Sequence, residues 1–556
     1  MNSRTALAGS LLRTAPAALL AGLVPVVFIP GTVGSYTLGH GVDVFILPRA
    51  SLVLVGGCLA GAVGLLAWRS AISALGSLGR PAGLVLGAVV VSTLASIAWP
   101  MSLVGSYSRY ESGPMRIAYL LLFCLAVWTL RTALERRLVV TWFLCGCAVI
   151  GLEALWASLT GQARPDGNLG QSNLLGVLLA MAVPLLAVRS LGTPLWSALL
   201  VPVVGGLVVS SSRSAWLGCL AGVAVLPALL APSWRVSRWL WTGWAAACLA
   251  AIVFVLASPL GSLHADTGAA RLHVWRDTLG LVAARPLFGW GPDTFGLVFG
   301  RFVTGDWEPG VTFDRAHNLV LDLWAAQGLV GLAACGSFFL VWAVGCFRGR
   351  SGSRVGAGAG SESPLARAGP PEEVVGLLGA WLAYLGWVLL NFDWAPATGI
   401  FWLLCGVGWS AVSADRARFG FGGLGAARVA RLGVQLGGGL ALVAAAVYLG
   451  VLPLAADWRY SVGDPAGAVA LDPVQAEYHR ALGGRLVGLG RLREGAAELQ
   501  LAVRLGVSDS TALVQLGDAE AALGDFAAAR VAYRRAVELD PYNGTAQQRL
   551  HASLPH

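Results

Sequence analysis

The chain has 556 residues, 56% hydrophobic and only 12% charged, with a mean hydropathy of +0.70, which places it among membrane proteins and excludes an ordinary soluble enzyme. The net charge of +9 comes from 38 basic residues against 29 acidic ones, and no lysine occurs, so arginine carries information by its position and not by its number. The nine cysteines (58, 124, 145, 147, 219, 248, 335, 346 and 405) all lie in apolar runs, which excludes a disulfide or zinc framework.

Arg4 and Arg13 precede the first apolar run as in a signal peptide, but further spans follow, so a retained first helix is expected. Runs long enough to cross a bilayer follow near 15–33, 47–67, 82–100, 115–131, 138–159, 173–188, 195–210, 214–231, 239–258, 318–347, 374–390, 398–413 and 432–453. The fold expected is all-α, a polytopic helical membrane protein of 12–13 spans over residues 1–454. With the N-terminus inside, the short cytoplasmic loops collect most of the arginines, among them Arg69, Arg136, Arg137, Arg189, Arg348 and Arg428. The Gly/Ser/Pro/Arg-rich stretch 348–373 is expected to be a flexible cytoplasmic linker.

On this topology the outward loops are the informative ones. They are Gly105–Gly113 with Arg109, the stretch from Gly161 through Arg164 and Asn168 to Asn173, Ser210-Ser-Ser-Arg213-Ser, and Asn391-Phe-Asp393-Trp394. The longest is 259–316, which ends in Asp314-Arg315-Ala316-His317-Asn318. It carries Leu272, Trp275, Leu279 and Val282 at helical spacing and is expected to fold as a roof over a membrane-embedded pocket.

Arginine on the outward side runs against the charge bias that sets topology, and burying it at a membrane surface is expensive unless an anion compensates it. Arg213 follows three serines at the start of an apolar helix, where free N–H groups also favour an anion. Arg271 and Arg164 are further candidates, because a guanidinium can grip diphosphate with two parallel hydrogen bonds. The competing reading is interfacial arginine snorkelling to lipid headgroups, and it is preferred for Arg276, Arg285 and Arg301. His317 stands where the loop re-enters the membrane and could take a proton from a hydroxyl, with His264 and His273 as rivals. Asp306-Trp307-Glu308 is the one close acidic pair in the loop and makes a poor metal motif, so no metal is assigned. No Walker loop, dinucleotide fingerprint or His-Glu-x-x-His pattern occurs, and nothing points to nucleic acid.

From 455 to 556 the composition becomes soluble and a 34-residue repeat is visible. Leu482-Gly483 aligns with Leu516-Gly517, Leu499 with Tyr533, Ala502 with Ala536, and Leu471-Asp-Pro473 with Leu539-Asp-Pro541 two periods on. The pattern resembles tetratricopeptide repeats, an α-solenoid that binds a protein partner.

The ordered series Arg109-Tyr-Glu-Ser-Gly, Arg164, Gly170-Gln-Ser-Asn173, Ser212-Arg213-Ser-Ala, Arg271 to Trp275, Pro286-Leu-Phe-Gly-Trp-Gly291 and Ala316-His317-Asn318 resembles the O-antigen ligase and polymerase family over about 100–410. The resemblance implies a C-type glycosyltransferase that needs no cofactor or metal. Such an enzyme sits in the bacterial inner membrane, with its catalytic loop and repeats on the periplasmic side. It moves a glycan from undecaprenyl diphosphate to a lipid or protein acceptor. It implies diphosphate binding for Arg213 and Arg271, and acceptor activation for His317. Arg164, Arg109, Asn173 and Asn318 follow as further site residues; Asn173 comes after Gln-Ser where an Asn-Pro pair is more usual. A polysaccharide polymerase or protein O-oligosaccharyltransferase would share the motifs. A transporter would place ionisable groups mid-span, whereas here they gather at the ends, and a scaffold would leave the outward Arg and His unexplained.

Overall fold

The structure, a computed structural model, describes residues 3–27, 43–230, 238–257, 268–307, 310–352, 370–413 and 429–553. Within them the backbone is helical, with no strand. Among the described residues nine helices are long and apolar enough to cross a membrane, and four shorter apolar stretches (Gly113–Thr129, Pro194–Val209, Thr242–Val253 and Glu373–Val388) lie at the other expected spans. The protein is a multi-pass membrane protein.

The helices that build the site are α1 (Ser3–Val26), α2 (Ile46–Leu66), α3 (Gly113–Thr129), α4 (Ala133–Leu159), α5 (Ser172–Gly192) and α6 (Arg213–Ala224). After them come α7 (Gly268–Ala284), α8 (Leu319–Gly352), α9 (Pro370–Val388), α10 (Ala395–Val412), α11 (Val429–Ala446) and α12 (Leu452–Ser461). Small residues let these backbones approach closely, as membrane helices require. A Cβ on Gly218 of α6 would stand 2.3 Å from the Ala383 carbonyl oxygen of α9, and one on Gly222 2.4 Å from that of Gly379. Arg49, in the first turn of α2, is fully buried and donates to the carbonyls of Val24, Pro25, Phe45 and Asn168. It satisfies the exposed carbonyls at the end of α1 and ties them to the 168 loop.

The described part of the long loop is folded, as its helical spacing predicts. Val274, Leu281 and Val282 of α7 pack with Phe295, Val298, Phe299, Ala316 and Ala325 in a core separate from the membrane core. The glycine motif at 286–291 plugs a break in α8. Trp290 and Gly291 donate to the carbonyls of Ala325 and Ala326, and Leu329 and Val330 to those of Pro286 and Leu287. Gly289 (φ 70°) and Gly328 (φ 69°) make this pairing possible, because both take a left-handed conformation in which a Cβ would meet the opposite backbone at 2.5 Å or closer. Residues 258–267, including His264, lie outside the described residues, as do Glu308 and most of the linker, 353–369.

The repeats comprise α13 (Ala476–Gly488), α14 (Leu492–Leu505), α15 (Ser510–Ala522) and α16 (Phe526–Leu539). Their register is the one expected: Gly483 packs on Leu499 and Gly517 on Tyr533, and Ala502 and Ala536 are both fully buried. The sequence suggests a tail remote from the chemistry, but the repeats dock on the roof and its neighbours. Tyr107 Oη donates to Asp457 at 2.5 Å, Gln475 Nε2 donates to the Gly105 carbonyl at 3.4 Å, and Arg301 meets Glu538 at 3.4 Å. A Cβ on Gly300 would lie 2.3 Å from the Leu539 carbonyl oxygen. Gly300→Leu is therefore expected to weaken docking by about 1–3 kcal/mol and to let a protease release the repeats much faster than from wild type. Unchanged resistance to limited proteolysis would show that this contact does not hold them.

Candidate functional site

Helices α3, α5, α6, α8 and α10 begin at one end of the bundle, where α4 and α9 finish. Their loops meet around the segment Leu389–Trp394 between α9 and α10. Asn391 Nδ2 donates to Ser214 Oγ at 2.8 Å, and Ser212 Oγ donates to Asn173 Oδ1 at 2.8 Å. The two serines that flank Arg213 are thus tethered, Ser212 to α5 and Ser214 to the central segment, which fixes the backbone that presents its guanidinium. Arg164 Nη2 donates to the same Asn173 oxygen at 3.3 Å. Arg271 Nη1 donates to the Leu390 carbonyl at 2.7 Å, so α7 is clasped to the segment one residue before Asn391.

His317 arrives from the other side. Its ring stands edge-on to Phe392, 5.0 Å between centroids, and Asn318 Nδ2 donates to the Leu389 carbonyl at 3.0 Å. The turn is closed by Asp322, which accepts from the amides of Ala316 (2.7 Å) and Asn318 (3.3 Å), while Trp275 Nε1 donates to the Ala316 carbonyl at 2.9 Å. Arg271 and His317 thereby reach one six-residue segment directly, and Arg213 lies between two serines of which Ser214 is bonded to that segment and Ser212 to Asn173, where Arg164 also donates.

Six non-glycine residues have positive φ among the described residues, and all lie in these loops: Ser108, Tyr110, Asn168, Ser211, Asp293 and His317. Backbone strain of this kind costs about 1–3 kcal/mol per residue and persists where surrounding contacts enforce it, most often at functional sites.

Two further candidates make structural contacts of their own. Arg109 pairs bidentately with Asp314 (2.5 and 3.3 Å) and lies over the rings of Phe392 and Trp394, at 4.9 and 4.8 Å. It binds the roof to the central segment. Asn318 caps α8, its Oδ1 accepting from the amides of Val320 and Leu321. Of the rival histidines, His273 stacks flat on Trp307 at 3.7 Å within the roof. Sequence reasoning also missed the polar frame beneath the segment. Asp393 lies 3.6 Å from Arg116 and accepts from Tyr384 Oη at 3.0 Å, and buried Arg315 pairs with buried Asp293. Its only sequence signal was the presence of ionisable residues in or beside apolar runs.

This frame perturbs ionisation. Burial works against the Asp314 carboxylate, but Arg109 and Arg315 outweigh it and hold the group below its usual range. Burial pushes the Glu111 carboxyl from 4.5 up to about 7, against the opposing pull of Arg116. The folded state then binds this proton more tightly than the unfolded one. Stability from Glu111 is complete below about pH 4.5 and falls as pH rises toward 7, by at most about 3 kcal/mol. Thermal unfolding in detergent should show that decline between pH 5 and 7, and Glu111→Gln should make it shallower, since Asp457 and Asp472 are pushed up into the same window by burial. An identical slope in the variant would place the titration elsewhere.

Residues 198–335 match the family model described as O-antigen ligase, a segment that holds Arg213, Arg271, His317 and Asn318, while Arg109, Arg164 and Asn173 precede it. Residues 510–553 match the tetratricopeptide repeat model. No curated protein matches the chain. The chain is thus a multi-span membrane protein in which one segment matches the O-antigen ligase family model and the C-terminal helices match the tetratricopeptide repeat.

Proposed function

We propose that the protein transfers a glycan from undecaprenyl diphosphate to an acceptor hydroxyl at the outer face of the bacterial cytoplasmic membrane. The observation that carries this is the convergence on Leu390–Phe392 of the Arg271 and His317 side chains and of Ser214, the residue next to Arg213. The acceptor oxygen forms a bond to the anomeric carbon while the bond from that carbon to the diphosphate oxygen breaks, with inversion. Arg213 and Arg271 stabilise the charge growing on the leaving diphosphate, and Arg164 supports them through Asn173. His317 orients the hydroxyl and accepts its proton. Arginine supplies the positive charge, so the reaction needs no metal. Apolar helices beside the roof hold the polyprenyl chain.

Mass spectrometry of envelope lipids and glycoproteins from a deletion strain tests this. Lipid-linked glycan should accumulate while one conjugate disappears. The missing conjugate, whether lipid-linked polymer, lipopolysaccharide or glycoprotein, identifies the acceptor and separates ligase, polymerase and protein glycosyltransferase. An unchanged lipid-linked pool would refute the donor assignment.

A further inference from the structure

The seam between the repeats and the membrane domain holds two buried carboxyl groups that the proposed reaction does not use. Asp43, just before α2, is 8% exposed, and Asp457, on α12, is 1% exposed. One hydroxyl joins them: Tyr107 Oη accepts from the Asp43 amide at 3.1 Å and donates to Asp457 Oδ1 at 2.5 Å. Asp43 Oδ1 accepts from the Ile46 amide at 2.7 Å, while the second oxygen of each carboxyl is buried and accepts no hydrogen bond. Neither carboxyl makes an ion pair among the described residues. Tyr107, Tyr460 and Tyr478 pack edge-on to one another around Asp457, with ring centroids 5.4 to 6.2 Å apart, and Tyr110 stands beside Asp43. Arg49 lies within electrostatic reach of Asp43, but its N–H groups are directed at four backbone carbonyls. Asp472 and Glu477 lie within reach of Tyr478, and Glu477 is held by Arg480 at 2.6 and 2.7 Å.

Two carboxylates in one desolvated site repel each other, and neither is paired with a cation, so the neutral acids are favoured over the anions. Burial pushes the Asp43 carboxyl from 3.8 up to about 6, against its hydrogen bonds to the amides at the start of α2. We propose that Asp43 and Asp457 form a proton-operated latch, which holds the repeats against the membrane domain while the carboxyls are protonated and lets them part when both ionise. The two residues belong to opposite sides of the seam. Tyr107 between them stands two positions before Arg109, whose pairing with Asp314 binds the roof to the central segment. Opening the latch therefore loosens the loop that carries Arg109 and makes the hold on the roof depend on pH. The docked state binds the Asp43 proton more tightly than the undocked state, so docking is strongest below about pH 4 and weakens as pH rises through 6. Asp43 alone accounts for a weakening of about 10-fold between pH 5 and 8, and repulsion from ionised Asp457 adds to it. The latch concerns docking and not group transfer, so it does not depend on the glycosyltransferase reading.

The test is amide hydrogen exchange of the full-length protein in nanodiscs, read by mass spectrometry from pH 5 to 8 and corrected for the intrinsic exchange rate. In wild type, opening of the seam at 105–110 and 476–482 should rise at least about 10-fold over that range, while α15 and α16 inside the repeats change little. Asp43→Asn/Asp457→Asn keeps the shape of both groups and the acceptor for Tyr107 but cannot ionise, and its seam should stay closed at pH 8. The single variant Asp43→Asn, the milder change, should reduce the rise by about 10-fold, which covers a packing defect in the double variant. A wild-type seam equally closed at pH 5 and 8, or the same rise in wild type and both variants, would overturn the proposal. So would closure of the wild-type seam at pH 8 by millimolar calcium, which would assign the two carboxylates to a metal ion.

Discussion

Replacing His317 with alanine is expected to lower glycan transfer by about 10²- to 10⁴-fold, the range typical of a lost general base or acid, with little change in folding. The ring lies half-buried against Phe392 and Phe313, whereas the turn around it is held by other groups, chiefly Asp322 and Asn318. Position 317 is left-handed, φ 53°, which alanine tolerates less well than asparagine. His317→Asn is therefore the sharper comparison, because it keeps the turn and a hydrogen-bonding side chain but removes the titrating ring. Loss of transfer in both variants, with normal thermal unfolding, assigns the proton to His317. Recovery in the asparagine variant would restrict the residue to orienting the acceptor, and full activity of both would remove it from the site.

Arg213→Ala and Arg271→Ala are each expected to cost about 10²- to 10³-fold, comparable to deleting a preorganised donor that faces developing negative charge. Lysine should not restore either, since a point charge lacks the planar fork that spans two diphosphate oxygens. For Arg271 there is a second reason. Its Nη1 is already committed to the Leu390 carbonyl, which sets the plane of the remaining N–H groups, and an ammonium cannot hold that carbonyl and present a fork together. Transfer rates of the four single variants at saturating donor make the measurement. Wild-type rates in both lysine variants would reduce these residues to interfacial anchors. Arg164→Ala should be milder, because Arg164 reaches the site through Asn173.

The spans were legible because apolar runs of bilayer length are a local signal, and so was the repeat register, which depends on small residues at a fixed period. The fold of the roof could be anticipated from Leu272, Trp275, Leu279 and Val282, all on α7. The sequence hid the pairings between distant residues. Arg109 looked like a further anion ligand, yet its partner Asp314 lies 205 positions later, and no periodicity predicts such a contact. Asn391-Phe-Asp393-Trp394 looked like one short loop among several, although Arg109 and His317 both pack on it and Arg271 and Asn318 bond the two residues just before it. Docking of the repeats was equally hidden, because a glycine such as Gly300 in a loop gives no sign that another backbone will lie against it. The repeats therefore contribute to holding the roof as well as offering a surface to a partner.

The most direct measurement is a reconstituted assay with purified protein in liposomes, a defined undecaprenyl-diphosphate glycan, a soluble acceptor analogue and a chelator. Undecaprenyl diphosphate should be released one-for-one with a glycoside of inverted anomeric configuration, read by NMR, and the His317→Asn protein should release neither. Retention of configuration, a requirement for divalent metal, or release of lipid diphosphate without glycoside at the same rate in wild type and His317→Asn would each contradict direct displacement at this site.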